Sequence, residues 1–244
     1  MSQVSPPPNV RFRLADHVRG CRVDDQVILL DLHRNKYLGI GGPQLAALST
    51  LIEGWPSDKE DSMHGIDAFA LARWIEPLQR QSMLTDTPRT MEPLAILAEP
   101  LQSLNAEGDG GTSAFEWHQL PQLWHAALVT SLWLRRRSLA EIANDVASMR
   151  RHRDPDADDI DADTLRAAVC AYMGMRPFAF TAHDRCLHDS LTLIRFLAGR
   201  NLFPRWVIGV RTRPFSAHSW VQSGELVLND LAENVRRYQP ILVV

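Results

Sequence analysis

The hydrophobic positions of the N-terminal third predict a small β-sheet followed by two helices. Three runs rich in β-branched and aromatic residues, VRGCRV, QVILLDL and KYLGI, are separated by the turn signals DD and HRN. The next segment, GGPQLAALSTLIEGW, begins with Gly-Gly-Pro and repeats its leucines at the spacing of one helix face. Residues 67–81 predict a second helix, because Leu71, Ile75 and Leu78 fall on one side of it. These elements indicate a compact module that ends near residue 86.

The rest of the chain predicts a linker and then a second module. Residues 87–114 contain three prolines and the glycine-rich string EGDGG, which is typical of a linker. Helical spacing follows at 116–150 and again at 163–173, and the chain from Trp206 onward has the composition of strands. We therefore predict an α+β protein with domains at 1–86 and 115–244, joined by that linker.

The overall composition narrows the classes of function. The net charge of −3 over 244 residues argues against nucleic acid as the main partner, because binding phosphates needs a basic surplus. Three cysteines without a Cys-x-x-Cys pair indicate a reducing compartment, and the N-terminus lacks the apolar segment of a signal peptide. No apolar run has membrane-spanning length, so we expect a cytoplasmic protein without a membrane span. No HExxH motif or spaced Cys/His set is present, and we expect no metal and no other cofactor.

The segment FSAHSWVQSGELVLND predicts a β-hairpin centred on Gly224. A three-residue loop at 223–225 would set these cross-strand pairs: Gln222 with Leu226, Trp220 with Leu228, and His218 with Asp230. Opposite residues on antiparallel strands have Cβ atoms about 4.5–5.5 Å apart and share one face. An imidazole and a carboxylate at that distance form a hydrogen bond that orients the ring and favours its charged form.

The three cysteines are the candidate nucleophiles to accompany this His–Asp pair. Cys186 follows Asp184, a plausible N-cap, and therefore falls in the first turn of a predicted helix. The positive end of the helix dipole lowers the pKa of a thiol there, and a nearby histidine lowers it further. Free cysteines are also often small buried hydrophobic residues, which is the interpretation we favour for Cys21 and Cys170. From the residues alone, both interpretations of Cys186 stay open.

Residues 115–244 resemble a known family of peptidases. The segments CLHDSLTLIRFL and RWVIGVRTRPFSAHSWVQSGELVLND, with their order of Cys, His and Asp, are similar to the transglutaminase-like cysteine peptidases of lasso-peptide biosynthesis, the B proteins. The resemblance implies a transglutaminase/papain-like domain in which Cys186 is the nucleophile. It also implies that His218 acts as base and acid and that Asp230 orients the histidine ring.

The N-terminal segment QVILLDLHRNKYLGIGGPQLAALSTLI resembles the leader-recognition domain of ribosomal peptide pathways, a small winged-helix-like fold. The resemblance implies that a leader peptide adds as an extra strand beside the third strand and against the last helix. The implied leader-binding residues are Lys36, Tyr37, Leu38, Gly39 and Ile40 on the strand and Trp74 on the helix. The alternative is that the strand residues simply belong to the core, since alternation buries about half of them in either case.

Together the two resemblances imply a peptidase that binds and removes the leader of a lasso-peptide precursor. A partner ligase related to asparagine synthetases would then use ATP to close the ring, and this chain has no P-loop glycine pattern of its own. One alternative is transglutaminase-type acyl transfer by the same three residues. A second is a non-enzymatic DNA-binding module, which the balanced charges of the helix at 67–81 disfavour.

Overall fold

The computed structural model describes residues 12–56, 68–86, 97–104, 117–151, 161–180 and 186–244. The chain divides into two compact units, Met1–Pro93 and Leu94–Val244. Strands and helices are mixed along the chain, so the predicted α+β class is confirmed. Among the helices that the structure describes, none combines the length and apolar character needed to cross a bilayer.

The first unit contains the three predicted strands and both predicted helices. Its elements are β1 (Phe12–Leu14), β2 (Val18–Val23), β3 (Gln26–Asp31), β4 (Lys36–Gly41), α1 (Pro43–Leu51), β5 (Ile52–Glu53), α2 (Ala68–Arg80) and β6 (Leu84–Thr85). Strands β2, β3 and β4 form an antiparallel sheet in that order, and β5, β1 and β6 form a second small sheet. The core draws on both sheets and both helices, through residues such as Val27, Leu29, Leu48, Ile75 and Leu78.

The turn between β3 and β4 is held by a buried carboxylate. Asp31 accepts hydrogen bonds from the backbone N–H groups of His33 at 2.9 Å and of Arg34 at 3.1 Å. The Arg34 guanidinium donates to Asp31 and to the carbonyl of Gln81, just beyond α2. A buried carboxylate needs such donors, and this turn therefore fixes where β4 begins.

The second unit combines a five-stranded sheet with five helices among its described residues. Its elements are β7 (Gln102–Ser103), α3 (Leu120–Arg136), α4 (Leu139–Arg151), α5 (Ala162–Met175), α6 (Cys186–Ala198), β8 (Arg205–Thr212), β9 (Phe215–Ser223), β10 (Leu226–Val227), α7 (Ala232–Val235) and β11 (Gln239–Val243). The strand order is β11-β8-β9-β10-β7. Helix α6 contacts both α3 and β9, and its residues from Asp189 to Ile194 are all buried. The first residue of this central helix is Cys186.

The helical region predicted at 116–150 is two helices. Helix α3 ends at Arg136, and the next helix starts after Ser138. The Ser138 hydroxyl accepts from the backbone N–H of Glu141, while the Glu141 carboxylate accepts from the backbone N–H of Ser138. This reciprocal arrangement is a capping box, which stabilises a new helix start and so separates α3 from α4.

The segment predicted as a linker at 87–114 is partly a strand of the second unit. Strand β7 lies parallel to β10 at the edge of the sheet. The N–H of Leu104 donates to the carbonyl of Val227 at 2.9 Å, and the hydroxyl of Ser103 accepts from the N–H of Ala232 at 2.6 Å. The described part of that segment, residues 97–104, is therefore built into the sheet rather than free.

Candidate active site

The hairpin that carries His218 has a shorter turn than predicted. Ser223 pairs with Leu226 and Gln222 with Val227, which leaves a two-residue loop, Gly224–Glu225. Gly224 has a φ of +55°, the left-handed value that a type II′ hairpin turn requires at its first central position. The predicted three-residue loop, and with it the pairs Gln222–Leu226 and Trp220–Leu228, is wrong.

The predicted contact between His218 and Asp230 is nevertheless present. In the observed register a continued ladder would place Asp230 opposite Ser219, on the other face of the sheet from His218. The ladder stops first: β10 ends at Val227, and the chain then turns out of the sheet. The Asp230 carboxylate thereby contacts Nε2 of His218.

Cys186 lies beside the same imidazole. Its thiol is hydrogen-bonded to the His218 side chain and to the backbone N–H of Ser219. Because Nε2 of His218 is engaged by Asp230, Nδ1 is the ring nitrogen left for the sulfur. Helix α6, strand β9 and the segment after β10 thus bring Cys186, His218 and Asp230 into one hydrogen-bonded row, which we call the Cys–His–Asp cluster.

The electrostatics of this cluster favour a thiolate beside an imidazolium. Burial on its own raises the pKa of the Cys186 thiol, but the hydrogen bonds from His218 and from the Ser219 N–H outweigh burial and lower that pKa below its ordinary value. Burial on its own lowers the pKa of His218, but hydrogen bonds to Asp230 and Cys186 raise it to about 10. Both shifts favour a thiolate beside an imidazolium, which is the form in which a cysteine is nucleophilic.

Asp230 is held by donors that the sequence analysis did not identify. Burial on its own raises the pKa of its carboxyl, but donors from His218, the Leu231 N–H and the Asn234 amide lower it. Asn234, on α7, donates from Nδ2 to both carboxylate oxygens at 3.1 Å. The four-residue spacing of Asp230 and Asn234 is the sequence signal that could have predicted this contact, since residues four apart meet when a helix forms.

The rings of Trp220 and Tyr238 pack against the imidazole of His218, and their approach depends on Gly209. Gly209 pairs with His218 across β8 and β9. A Cβ at Gly209 would lie 2.7 Å from the Trp220 ring and 2.9 Å from Cβ of Tyr238. The His218 ring stacks on Trp220, with 6.2 Å between centroids, and contacts the Tyr238 ring at 5.2 Å. The missing side chain at Gly209 is what allows both aromatic rings to approach His218.

Replacing Gly209 with alanine is expected to lower the free energy of unfolding by about 1–3 kcal/mol, because Trp220 and Tyr238 must move to accept the methyl group. Denaturant unfolding of the full chain measures this. The matched control is Gly174→Ala on α5, where a Cβ meets no atom within 4 Å. That helix substitution is expected to gain about 0.5–1 kcal/mol. A Gly209→Ala protein as stable as the wild type would contradict the role assigned to Gly209.

The other two cysteines lie in different environments. Cys21 is buried in β2, and burial raises the pKa of its thiol to about 12, which makes it unreactive. Cys170 lies half-buried on α5. In the part of the chain that the structure describes, no group of three or more His, Cys, Asp or Glu side chains is placed to hold a metal ion.

The predicted leader-binding strand is an edge of the first unit's sheet. Strand β4 pairs with β3 on one side, and no other described strand lies along its second side. Ile40 is buried and Leu38 packs against the core, so these two side chains are not open to a ligand. Lys36 and Gly39 are exposed. Trp74, on α2, is partly buried against the same core.

Comparison with known proteins gives two matches. A model of the transglutaminase-like superfamily matches residues 124–243. The chain is also 53% identical over 51 residues to the microcin J25-processing protein McjB of Escherichia coli. That alignment covers 21% of this chain and 24% of the Escherichia coli protein, so it spans about a quarter of that relative's length. No solved structure gives a significant match. The two matches confirm the predicted resemblance to the lasso-peptide B proteins.

Proposed function

We propose that this chain, whose residues 124–243 match a model of the transglutaminase-like superfamily, is a cysteine peptidase that removes the leader segment of a lasso-peptide precursor. The observation that carries the proposal is the hydrogen-bonded row of Cys186, His218 and Asp230. A lone cysteine or a lone His–Asp pair has many structural explanations. A helix-start cysteine of lowered pKa against a carboxylate-held histidine is the arrangement that nucleophilic catalysis needs.

The first half of the proposed reaction transfers the leader to the enzyme. The Cys186 thiolate attacks the carbonyl carbon of the bond that joins leader to core, and an S–C bond forms. The His218 imidazolium gives its Nδ1 proton to the leaving nitrogen, the C–N bond breaks, and the core leaves with a free amine. Negative charge on the carbonyl oxygen needs a donor, and the backbone N–H of Cys186 suits this role because the first N–H groups of a helix have no intrahelical partner.

The second half releases the leader. Neutral His218 accepts a proton from water, and the oxygen of that water attacks the thioester carbonyl. The C–S bond breaks, the leader leaves as a carboxylic acid, and the thiolate–imidazolium pair is restored. Asp230 stays ionised throughout and stabilises the charged ring. The net reaction consumes one water and produces one new carboxyl and one new amine.

Precursor mass separates this reaction from acyl transfer by the same residues. The probe is a synthetic lasso-peptide precursor with its leader segment attached, incubated with the full chain. Hydrolysis yields two fragments whose masses sum to that of the precursor plus water. Loss of ammonia without cleavage would instead assign transglutaminase chemistry and overturn the peptidase proposal. A separate ligase related to asparagine synthetases is proposed to act next in the cytoplasm, on the freed amine.

The first unit is proposed to bind the leader by strand addition to β4. The edge of β4 that faces no described strand offers backbone groups for pairing. The added strand is lined by exposed Lys36 and Gly39, the half-buried Tyr37 and the backbone of Leu38 and Ile40. Backbone pairing supplies affinity and the adjacent side chains supply selectivity. Trp74 on α2 is proposed to contact the leader from the helix side.

Replacing Tyr37 with glutamate is expected to weaken leader binding by about tenfold or more, equal to ~1.4 kcal/mol or more. Tyr37 points away from the core-facing Leu38, and a charge there must lose water when a strand is laid beside it. Fluorescence anisotropy of a labelled leader segment with the full chain measures the affinity. Val23→Glu on β2 puts the same charge on the opposite edge of the sheet. Equal losses in both variants would contradict binding at β4.

A further inference from the structure

We infer that Asn229 is a positioning residue that ends the β9–β10 ladder and turns Asp230 onto His218. The inference rests on the proposed function, because it concerns the same cluster. The half-buried amide of Asn229 accounts for the contact between Asp230 and His218, which the register of the hairpin alone does not produce.

The first observation is how the ladder ends. Leu228 still donates its N–H to the carbonyl of Val221 at 2.9 Å, as a paired residue does. The N–H of Val221, however, donates to the side-chain Oδ1 of Asn229 at 2.8 Å. The amide of Asn229 therefore takes the acceptor position of a ladder partner and lets the backbone leave the sheet. Since neighbouring strand residues point to opposite faces, a ladder continued to Asp230 would turn its side chain away from His218.

The second observation is what the other end of the same amide binds. Nδ2 of Asn229 donates to Oδ2 of Asp189 at 3.0 Å and to the hydroxyl of Ser190 at 3.1 Å. Both acceptors lie on α6, three and four residues after Cys186, which is one turn of helix. One side chain thus connects the strand that carries His218, the helix that begins with Cys186 and the segment that carries Asp230.

The third observation is that Asp189, the acceptor on α6, is buried and held by further donors. Asp189 is 3% exposed and accepts from the hydroxyl of Tyr172 at 2.8 Å and from the guanidinium of Arg176 at 3.3 Å. A buried carboxylate cannot turn away from such donors without a large desolvation cost. A buried ionic network of this kind can hold the elements it joins in one specific arrangement. Here that geometry is the separation between Cys186 and the His218–Asp230 pair.

The test measures the reactivity of Cys186 rather than peptide cleavage. Full-length wild-type and Asn229→Ala proteins are alkylated with iodoacetamide across a pH series, and modification of the Cys186 peptide is followed by mass spectrometry. Without the amide, Asp230 loses its place at His218, and the imidazolium beside the sulfur is less stable. We expect the alkylation midpoint to rise by at least about one pH unit, which makes alkylation about tenfold slower at pH values below the wild-type midpoint.

Gln222→Ala is the matched control. Gln222 is another buried amide on β9, which donates to the carbonyls of Ala98 and Gly224 at 2.7 Å and accepts from Nε1 of Trp220 at 3.0 Å. None of these bonds reaches α6 or Asp230. The Gln222→Ala variant is expected to lower stability yet leave the midpoint in place. If Asn229→Ala fails to fold, Ser190→Ala, which removes one acceptor of the amide, must raise the midpoint by a smaller amount.

The outcomes separate this inference from the proposed function. A folded Asn229→Ala protein with a wild-type midpoint, or an unchanged midpoint in Ser190→Ala, overturns the inference alone. A wild-type Cys186 that is alkylated only in the range of an ordinary thiol contradicts the proposed chemistry and the inference with it. An upward shift confined to the Asn229 and Ser190 variants supports the inference.

Discussion

Replacing Cys186 with alanine is expected to abolish leader removal, with a fall in rate of about 10⁶-fold, the order of loss that follows removal of a nucleophile. No other described group in the cluster can form the proposed thioester, since neither His218 nor Asp230 carries a thiol. Leader affinity should stay within about twofold of the wild type, because strand addition is proposed to use β4 of the first unit. Precursor mass and leader anisotropy measure the two quantities.

Cys21→Ala and Cys170→Ala are the controls for this result. Both should retain cleavage, with losses of stability on the order of 1 kcal/mol for a small core change. Cys21 has a thiol pKa raised to about 12 by burial and supplies no thiolate near neutral pH. A Cys186→Ala protein that removes the leader at the wild-type rate would contradict the proposed mechanism.

Replacing Asp230 with asparagine is expected to lower kcat/KM by up to about 10⁴-fold while leaving the fold intact. The carboxylate contributes to the pKa of about 10 that keeps His218 protonated, and an amide of the same shape removes that contribution. The loss should grow as pH rises within the active range, because the imidazolium of the variant deprotonates earlier. Initial rates of precursor cleavage across pH provide the measurement.

Glu233→Gln is the matched control for Asp230→Asn. Glu233 is an exposed carboxylate on α7, three residues from Asp230, and its removal changes the net charge equally. Activity in Glu233→Gln should stay within about twofold of the wild type, as for most surface substitutions. Equal losses in the two variants would show that Asp230 acts through general charge rather than through its hydrogen bond to His218.

Local sequence patterns were sufficient to predict the sheet of the first unit. Strands β2, β3 and β4 agree with the three predicted runs because each run is rich in β-branched or aromatic residues and is bounded by polar turn residues. The helix start at Cys186 follows from the apolar spacing after it, although Asp184, its predicted N-cap, lies outside the described residues. The capping box that separates α3 from α4 was readable as Ser138 and Glu141, three residues apart.

Long-range features were not readable in the same way. The Ser-Gly-Glu sequence is compatible with loops of two or three residues, and one residue of difference reverses every side chain of the strand that follows. The contact of His218 with Asp230 exists because Asn229 interrupts the ladder, and an isolated asparagine carries no periodic signal. Strand β7 is two polar residues long and forms through bonds to β10, which lies more than a hundred residues later in the sequence.

The origin of one oxygen atom tests the central claim most directly. The precursor is incubated with the full chain in water enriched in heavy oxygen, and the leader fragment is analysed by mass spectrometry. Hydrolysis through a Cys186 thioester predicts one heavy oxygen in the new C-terminal carboxyl of the leader and none in the core, whose amine is free. An intact precursor that has lost ammonia, or a leader fragment without heavy oxygen, would contradict the account.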